Sequence, residues 1–302
     1  MLARIYGLVL VLSVVMWGCA AEEEEVSSDS AALTSTCGVD PTKASAPRAL
    51  LDRPFRDDAD AERRLTCLST ILDTQSSHRA LFPTLYTNTT RRVREGIAAG
   101  RMNDPGYSSR LLTRFAELYR VAFVAYEDGE DVPAAWRIAF DAAKESDQAR
   151  RSGKPDNVLA LQHTALGVNA HVNHDLAHAV ADVGLEGGSI SHRKHDYDVV
   201  RSILLENVDA SLDLVTRKYA AGLGQAPETL KRALGDSFTV WLVVGREKAW
   251  ADALLLMRHG LTAKLTNAEV ELLSKEMGEA LLAGNGISPS LMAKLKRLEG
   301  SR

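Results

Sequence analysis

The chain has 302 residues, of which 45% are hydrophobic and 25% charged, and a formal net charge of −4. That composition supports one large apolar core and lacks the dense basic patch or aromatic-rich stripe that a nucleic-acid surface needs. The one long apolar run, Ile5 to Trp17, has thirteen residues, where a membrane span needs ~20.

In chain order, that run follows Arg4 and precedes Gly18 and Cys19, so residues 1–18 read as an export signal. Cys19 then stands where a bacterial lipoprotein carries its lipid, and the alternative is ordinary signal cleavage a little further on. Losing Arg4 with the signal takes the net charge from −4 to −5. The segment "AAEEEEVSSDSAALTST" is acidic and rich in Ser and Thr, and it cannot bury enough surface to offset its ordering entropy. Residues 19–36 are therefore expected to be a flexible tether, with the helical domain over 37–302. Two cysteines remain, Cys37 and Cys67. In an oxidising compartment they are expected to pair, and the alternative is two free buried thiols. The expected location is the cell envelope, at the outer membrane, with the lipid as the sole membrane contact.

Helix follows helix from there. Pro105, Pro133, Pro155, Pro227 and Pro289 each precede a helical pattern or sit in its first turn, where a missing N–H costs nothing. "SSRLLTRFAELYRVAFVAY" sets Leu111, Phe115, Leu118 and Ala122 on one stripe, the spacing of a core-facing helix. "PAAWRIAFDAAKE" repeats it with Trp136 and Phe140, and "EVELLSKEMGEALLAG" stops at Gly284, a C-cap residue. The β-rich "FTVWLVVG" (Phe238 to Gly245) lacks a partner strand and reads as a buried helix behind an Asp236 cap. The fold class is all-α, a single multi-helix bundle domain of about eight to ten helices.

The most unusual stretch is "NAHVNHDLAH", which takes three of the eight histidines. It lies on a helical pattern expected to run from Pro155 and Asp156 to Gly184. Leu161, Ala165, Val168, Val172, Leu176, Ala179 and Val183 form its apolar face. His171, His174, Asp175, His178 and Asp182 form a second stripe, with His163 continuing it backwards. His171 and Asp175, four apart, project together, and such a pair offers two ligands to a metal or a dyad for acid–base work. A buried His–Asp bond that ties helices together explains the same spacing, and His174 and His178 read as solvated neighbours. The next helix, carrying His192, His195, Asp196 and Asp198, is expected to pack antiparallel on this one across a short connection.

These residues resemble a bacterial family of unknown function with the central motif Asn-Ala-His-x-Asn-x-Asp-Leu, here Asn169, Ala170, His171, Asn173, Asp175 and Leu176. A following Asp-aromatic element is matched by Asp196, Tyr197 and Val200, although Arg201 stands where the family has Asn. An Arg-x-x-Ala-Trp element is similar to Arg246–Trp250. The resemblance spans Leu111 to Leu256 and implies an all-helical fold without an established activity. It singles out His171 and Asp175 and adds Asp196 and Arg246 to the candidates.

Two functions follow. The first is a hydrolase-like enzyme in which His171 is a metal ligand or general base and Asp175 a ligand or orienting group. Asp196 would complete a divalent metal site such as zinc, and Arg246 would bind an anionic group of a small-molecule ligand. Asn169, Asn173, His195 and Trp250 would support that site. The second is a non-catalytic binding or scaffold lipoprotein in which the same motif clamps helices. A haem or di-iron bundle is the weakest reading, because the histidine helix lacks Glu-x-x-His pairs.

Overall fold

A computed structural model describes residues 30–285 and 289–300. The signal at 1–18 and the lipidation position Cys19 lie outside them. The helices are α1 (Ser30–Cys37), α2 (Ala46–Leu50), α3 (Asp58–Thr74), α4 (Leu81–Ala98), α5 (Pro105–Glu127), α6 (Ala134–Arg151) and α7 (Ala160–Asn169). A π-helical turn, Ala170–Asp175, leads directly into α8 (Leu176–Val183). There follow α9 (Ile190–Glu206), α10 (Val208–Tyr219), α11 (Glu228–Leu256), α12 (Gly260–Leu282) and α13 (Pro289–Gly300). Setting aside the short α1 and α2, and counting α7, the π turn and α8 as one rod, leaves ten helices. No strand occurs among the described residues, so the all-α expectation holds.

Local chemistry sets the helix starts. Asp57 caps α3 by accepting from the Asp60 N–H at 2.7 Å, and Asp104 caps α5 by accepting from Tyr107 at 2.8 Å, with Pro105 in the first turn. Pro133 and Pro227 sit at the N-caps of α6 and α11. Gly184 ends α8 at φ +69°, a conformation that a side chain would resist.

Four expectations need correction. Residues 30–36, expected in the tether, are helical, and Leu33 on α1 is buried. The histidine rod starts at Ala160, and Pro155 and Asp156 belong to the loop before it. Asp156 accepts hydrogen bonds from Ser146 and from the Val158 N–H and so organises that loop. Phe238 to Gly245 lies inside one continuous helix, α11, where Asp236 caps nothing. Of its residues only Leu242 and Gly245 are buried, and Val240 faces solvent. Finally, α9 packs mainly on α4, while α8 lies against α5 and α11. The loop after Gly184 swings α9 away because Arg193, buried over the Tyr107 ring, is tied to Asp104 and to the Glu186 carbonyl.

Cys37 and Cys67 form the expected disulfide, with 5.7 Å between their Cα atoms, and it fastens α1 to α3. The core behind it is aromatic: Phe82, Tyr86, Tyr119, Phe123, Trp136 and Phe140 make a chain of edge-on and stacked contacts across α4, α5 and α6. The π turn is set into this cluster. Among the described residues no helix is long and apolar enough to cross a membrane.

Candidate functional site

His171 sits on the π turn, 2% exposed, with its ring stacked on Phe115 at 3.4 Å and edge-on to Tyr86 at 4.4 Å. Its Nδ1 is 3.0 Å from Asp175 Oδ2. Asp175 also accepts from the Trp136 indole N–H at 2.9 Å and from His174 Nδ1 at 2.8 Å. Burial alone would raise the Asp175 pKa, but the hydrogen bonds from His171 and His174 outweigh it and hold the carboxyl below its usual value. An ionised carboxylate only accepts, so Nδ1 of His171 carries the proton and its lone pair is on Nε2. Burial then lowers the His171 pKa and keeps the imidazole neutral.

His174 is no wet neighbour. Its Nδ1 faces Asp175 and its Nε2 faces Glu271 Oε2 at 3.0 Å, so both nitrogens donate and the ring is an imidazolium. Burial opposes that charge, yet the two carboxylates push the pKa up to about 9. Glu271 in turn accepts from the Ala134 N–H at 2.7 Å. His178 donates from Nδ1 to the His174 carbonyl. Asn169 donates to the Ser274 carbonyl at 2.8 Å, and Asn173 donates to Asn169 Oδ1 at 2.9 Å. Asn169, His174 and Asp175 therefore tie the π turn to α6 and α12.

One atom of the motif is left over. His171 Nε2 is buried and has no hydrogen-bond partner. His171 lines a cavity of about 100 Å³ whose walls are mostly apolar, among them Phe82, Leu111, Phe115, Val172 and Leu242. Ser108 and Arg246 line the same cavity, and Ser108 Oγ and Arg246 Nε are also buried without partners. Tyr86 and Thr90 stand on the wall with hydroxyls that interact without closing a well-formed bond. Native interiors leave few such groups unpaired, so their gathering on one cavity is the site's distinguishing feature.

The other expected residues are elsewhere or differently employed. Arg246 lines the cavity but lacks a carboxylate in hydrogen-bond contact: Nη2 donates to the Tyr197 carbonyl at 3.0 Å, and the guanidinium lies 4.2 Å from the Tyr197 ring centre. Burial lowers its pKa. Trp250 also packs on Tyr197, at 5.0 Å. Asp196 does not join His171 and Asp175 in a metal site. Its two oxygens accept from the Asn103 and Asp104 N–H groups at 2.7 and 2.8 Å, so it seats the start of α5. His195 is exposed on the surface of α9. Arg201, at the departure from the expected Asn, pairs with Glu247 and Asp198.

Among the described residues, the group of three or more His, Cys, Asp or Glu whose ligand atoms converge is a different one, His78, Asp156 and His163. Sequence reading placed His163 on the histidine stripe and missed His78, which lies in a one-turn segment far from it in the chain.

The model of a family of unknown function, DUF5995, matches residues 59–284, which takes in every helix from α3 to α12 and the whole cavity. No curated protein and no solved structure matches the chain significantly. With the greater part of its length matched, the chain belongs to the DUF5995 family.

Proposed function

We propose that this chain is an envelope protein that binds a small amphipathic molecule in the cavity beside the π turn, with His171 Nε2 accepting a hydrogen bond from the ligand's O–H or N–H. The observation that carries this is the buried Nε2 lone pair on an apolar cavity wall. Leaving an acceptor there unpaired costs about 1–3 kcal/mol, and a ligand that donates to it recovers that energy. The space suits a short-chain alcohol, and a one-ring alcohol if its walls give slightly, since an engineered cavity of roughly 150 Å³ takes benzene and this one holds about 100 Å³. Arg246 and Ser108 add polar atoms for a second group on the same ligand.

An acid–base enzyme is the second reading, favoured by the His171–Asp175 dyad with its proton on Nδ1. Two features weigh against it. Asp175 already neutralises the His174 imidazolium, which leaves less of its charge to stabilise a second one. Ser108, a hydroxyl on the same wall, makes no hydrogen bond to His171. The helix-clamp role of Asn169, His174 and Asp175 is compatible with both readings.

Calorimetric titration with phenol and with its isostere toluene tests the binding. Phenol should bind, and His171→Phe, which keeps a ring against Phe115, should cut the phenol-over-toluene preference about 10- to 100-fold. No binding of either compound, or an unchanged preference in the variant, rejects the proposal.

Export and lipidation belong to the same reading. The Arg4–Cys19 pattern and the Cys37–Cys67 disulfide support a lipid-anchored protein of an oxidising envelope compartment. Labelled palmitate should enter the wild type and not Cys19→Ala. Equal labelling of both, or of neither, contradicts the anchor.

A further inference from the structure

A second cluster lies at the junction of α6, α7 and the loop between them. His78 is in the single 3-10 turn before α4, Asp156 is in the loop and His163 is on α7. One ring nitrogen from each histidine and one Asp156 oxygen lie within 4.8 Å of one another. The His78 Nε2 to Asp156 Oδ2 separation is already 3.4 Å, close to the edge of a tetrahedral zinc site, roughly 3.3 Å for bonds of ~2.0–2.1 Å.

The surroundings prepare these atoms as ligands. Asp147 on α6 accepts from the His78 backbone N–H at 2.8 Å and takes the ring Nδ1 at 2.6 Å, while Ser77 donates to its other oxygen. That fixes the His78 tautomer, with the proton on Nδ1 and the lone pair on Nε2 facing Asp156. A carboxylate behind a histidine is the usual outer partner of a metal-bound imidazole. On α6, Ser146 donates to Asp156 Oδ1 at 2.8 Å and lies 3.0 Å from His163 Nε2. His163 Nδ1 is buried without a hydrogen-bond partner. His78 and Asp156 are partly exposed, which leaves an ion a way in.

We propose that His78, Asp156 and His163 bind one divalent transition-metal ion of the zinc class, with a fourth position open to water. Two imidazoles and one carboxylate match the donor set that zinc takes in sites of this kind. The ion would fasten the start of α4 to the loop that leads into the histidine rod. This site is independent of the cavity at His171.

The test is a titration of the metal-stripped full-length chain with zinc chloride, with elemental analysis after dialysis. Wild type should hold one zinc per chain. His78→Ala and Asp156→Asn should each weaken binding at least about 100-fold, and Asp147→Asn about 10- to 100-fold, the usual loss for an outer partner. Asp156→Asn retains the acceptor for Ser146 and Val158, so it reports on the ligand without loss of the loop. His171→Ala should leave the affinity unchanged. Absence of stoichiometric zinc in the wild type overturns the proposal, as does zinc binding that survives Asp156→Asn and His78→Ala.

Discussion

Asp175 shares its two oxygens among three donors, and the two imidazoles on it have opposite fates. His171 stays neutral because burial dominates, and His174 is charged because a second carboxylate, Glu271, waits on its far side. The charged ring has a stability consequence with a definite sign. Its pKa rises from 6.5 to about 9 on folding, so its contribution is complete below about pH 6.5 and is lost as pH climbs through 9. Urea denaturation should therefore show a loss on the order of 3 kcal/mol across that window. His174→Gln should flatten the dependence, and an equally steep profile in the variant would refute the network. The His171–Asp175 pair is legible in the sequence because four-residue spacing on a helix forces proximity. The role of His174 is not, since Glu271 comes from α12, and no local pattern joins them. Asp196 misleads for the same reason: its partners are the backbone N–H groups of Asn103 and Asp104, just before α5, which a sequence does not display.

At the scale of elements, the prolines and Asp caps mark most helix starts, and the apolar stripes mark which faces go inward. What they leave out is the π turn. Its extra residue per turn depends on which carbonyl each N–H reaches, and it falls at Ala170–Asp175, inside the motif. Such turns recur at functional sites because they reset the direction of the side chains they carry. The approach of α7 to α4 depends on Gly167. A Cβ there would stand 2.6 Å from both Cβ and Cγ of Phe82, atoms too near the backbone to swing aside. Gly167→Ala should cost about 1–3 kcal/mol by overpacking, and should disturb the cavity wall that Phe82 forms. Gly96→Ala would crowd chiefly the terminal methyl of Ile203, the far end of a flexible side chain, and should cost less. Denaturation midpoints that rank the two variants the other way would contradict this packing. The antiparallel pairing of α8 and α9 fails as an expectation because Arg193 and Asp196 commit α9 to the start of α5.

For the whole molecule, the disulfide and the cavity bear most directly on function. Cys37 and Cys67 are 30 residues apart, and closing that loop stabilises the fold by about 3–4 kcal/mol on the unfolded-chain argument. Thiol reduction should lower the melting temperature, and an unchanged melt would show the bridge to be dispensable. The all-α class and the disulfide are readable from helical periodicity and cysteine count. The cavity is not, because its walls come from α4, α5, the rod of α7, the π turn and α8, and α9 to α11 together. Ligand binding in that cavity depends on a bare Nε2 of His171. Nitrogen-15 NMR of the imidazole measures this directly. The ring should be neutral at neutral pH and protonated on Nδ1, with an Nε2 resonance that moves when phenol is added. A proton on Nε2, or an Nε2 signal indifferent to phenol, would contradict it.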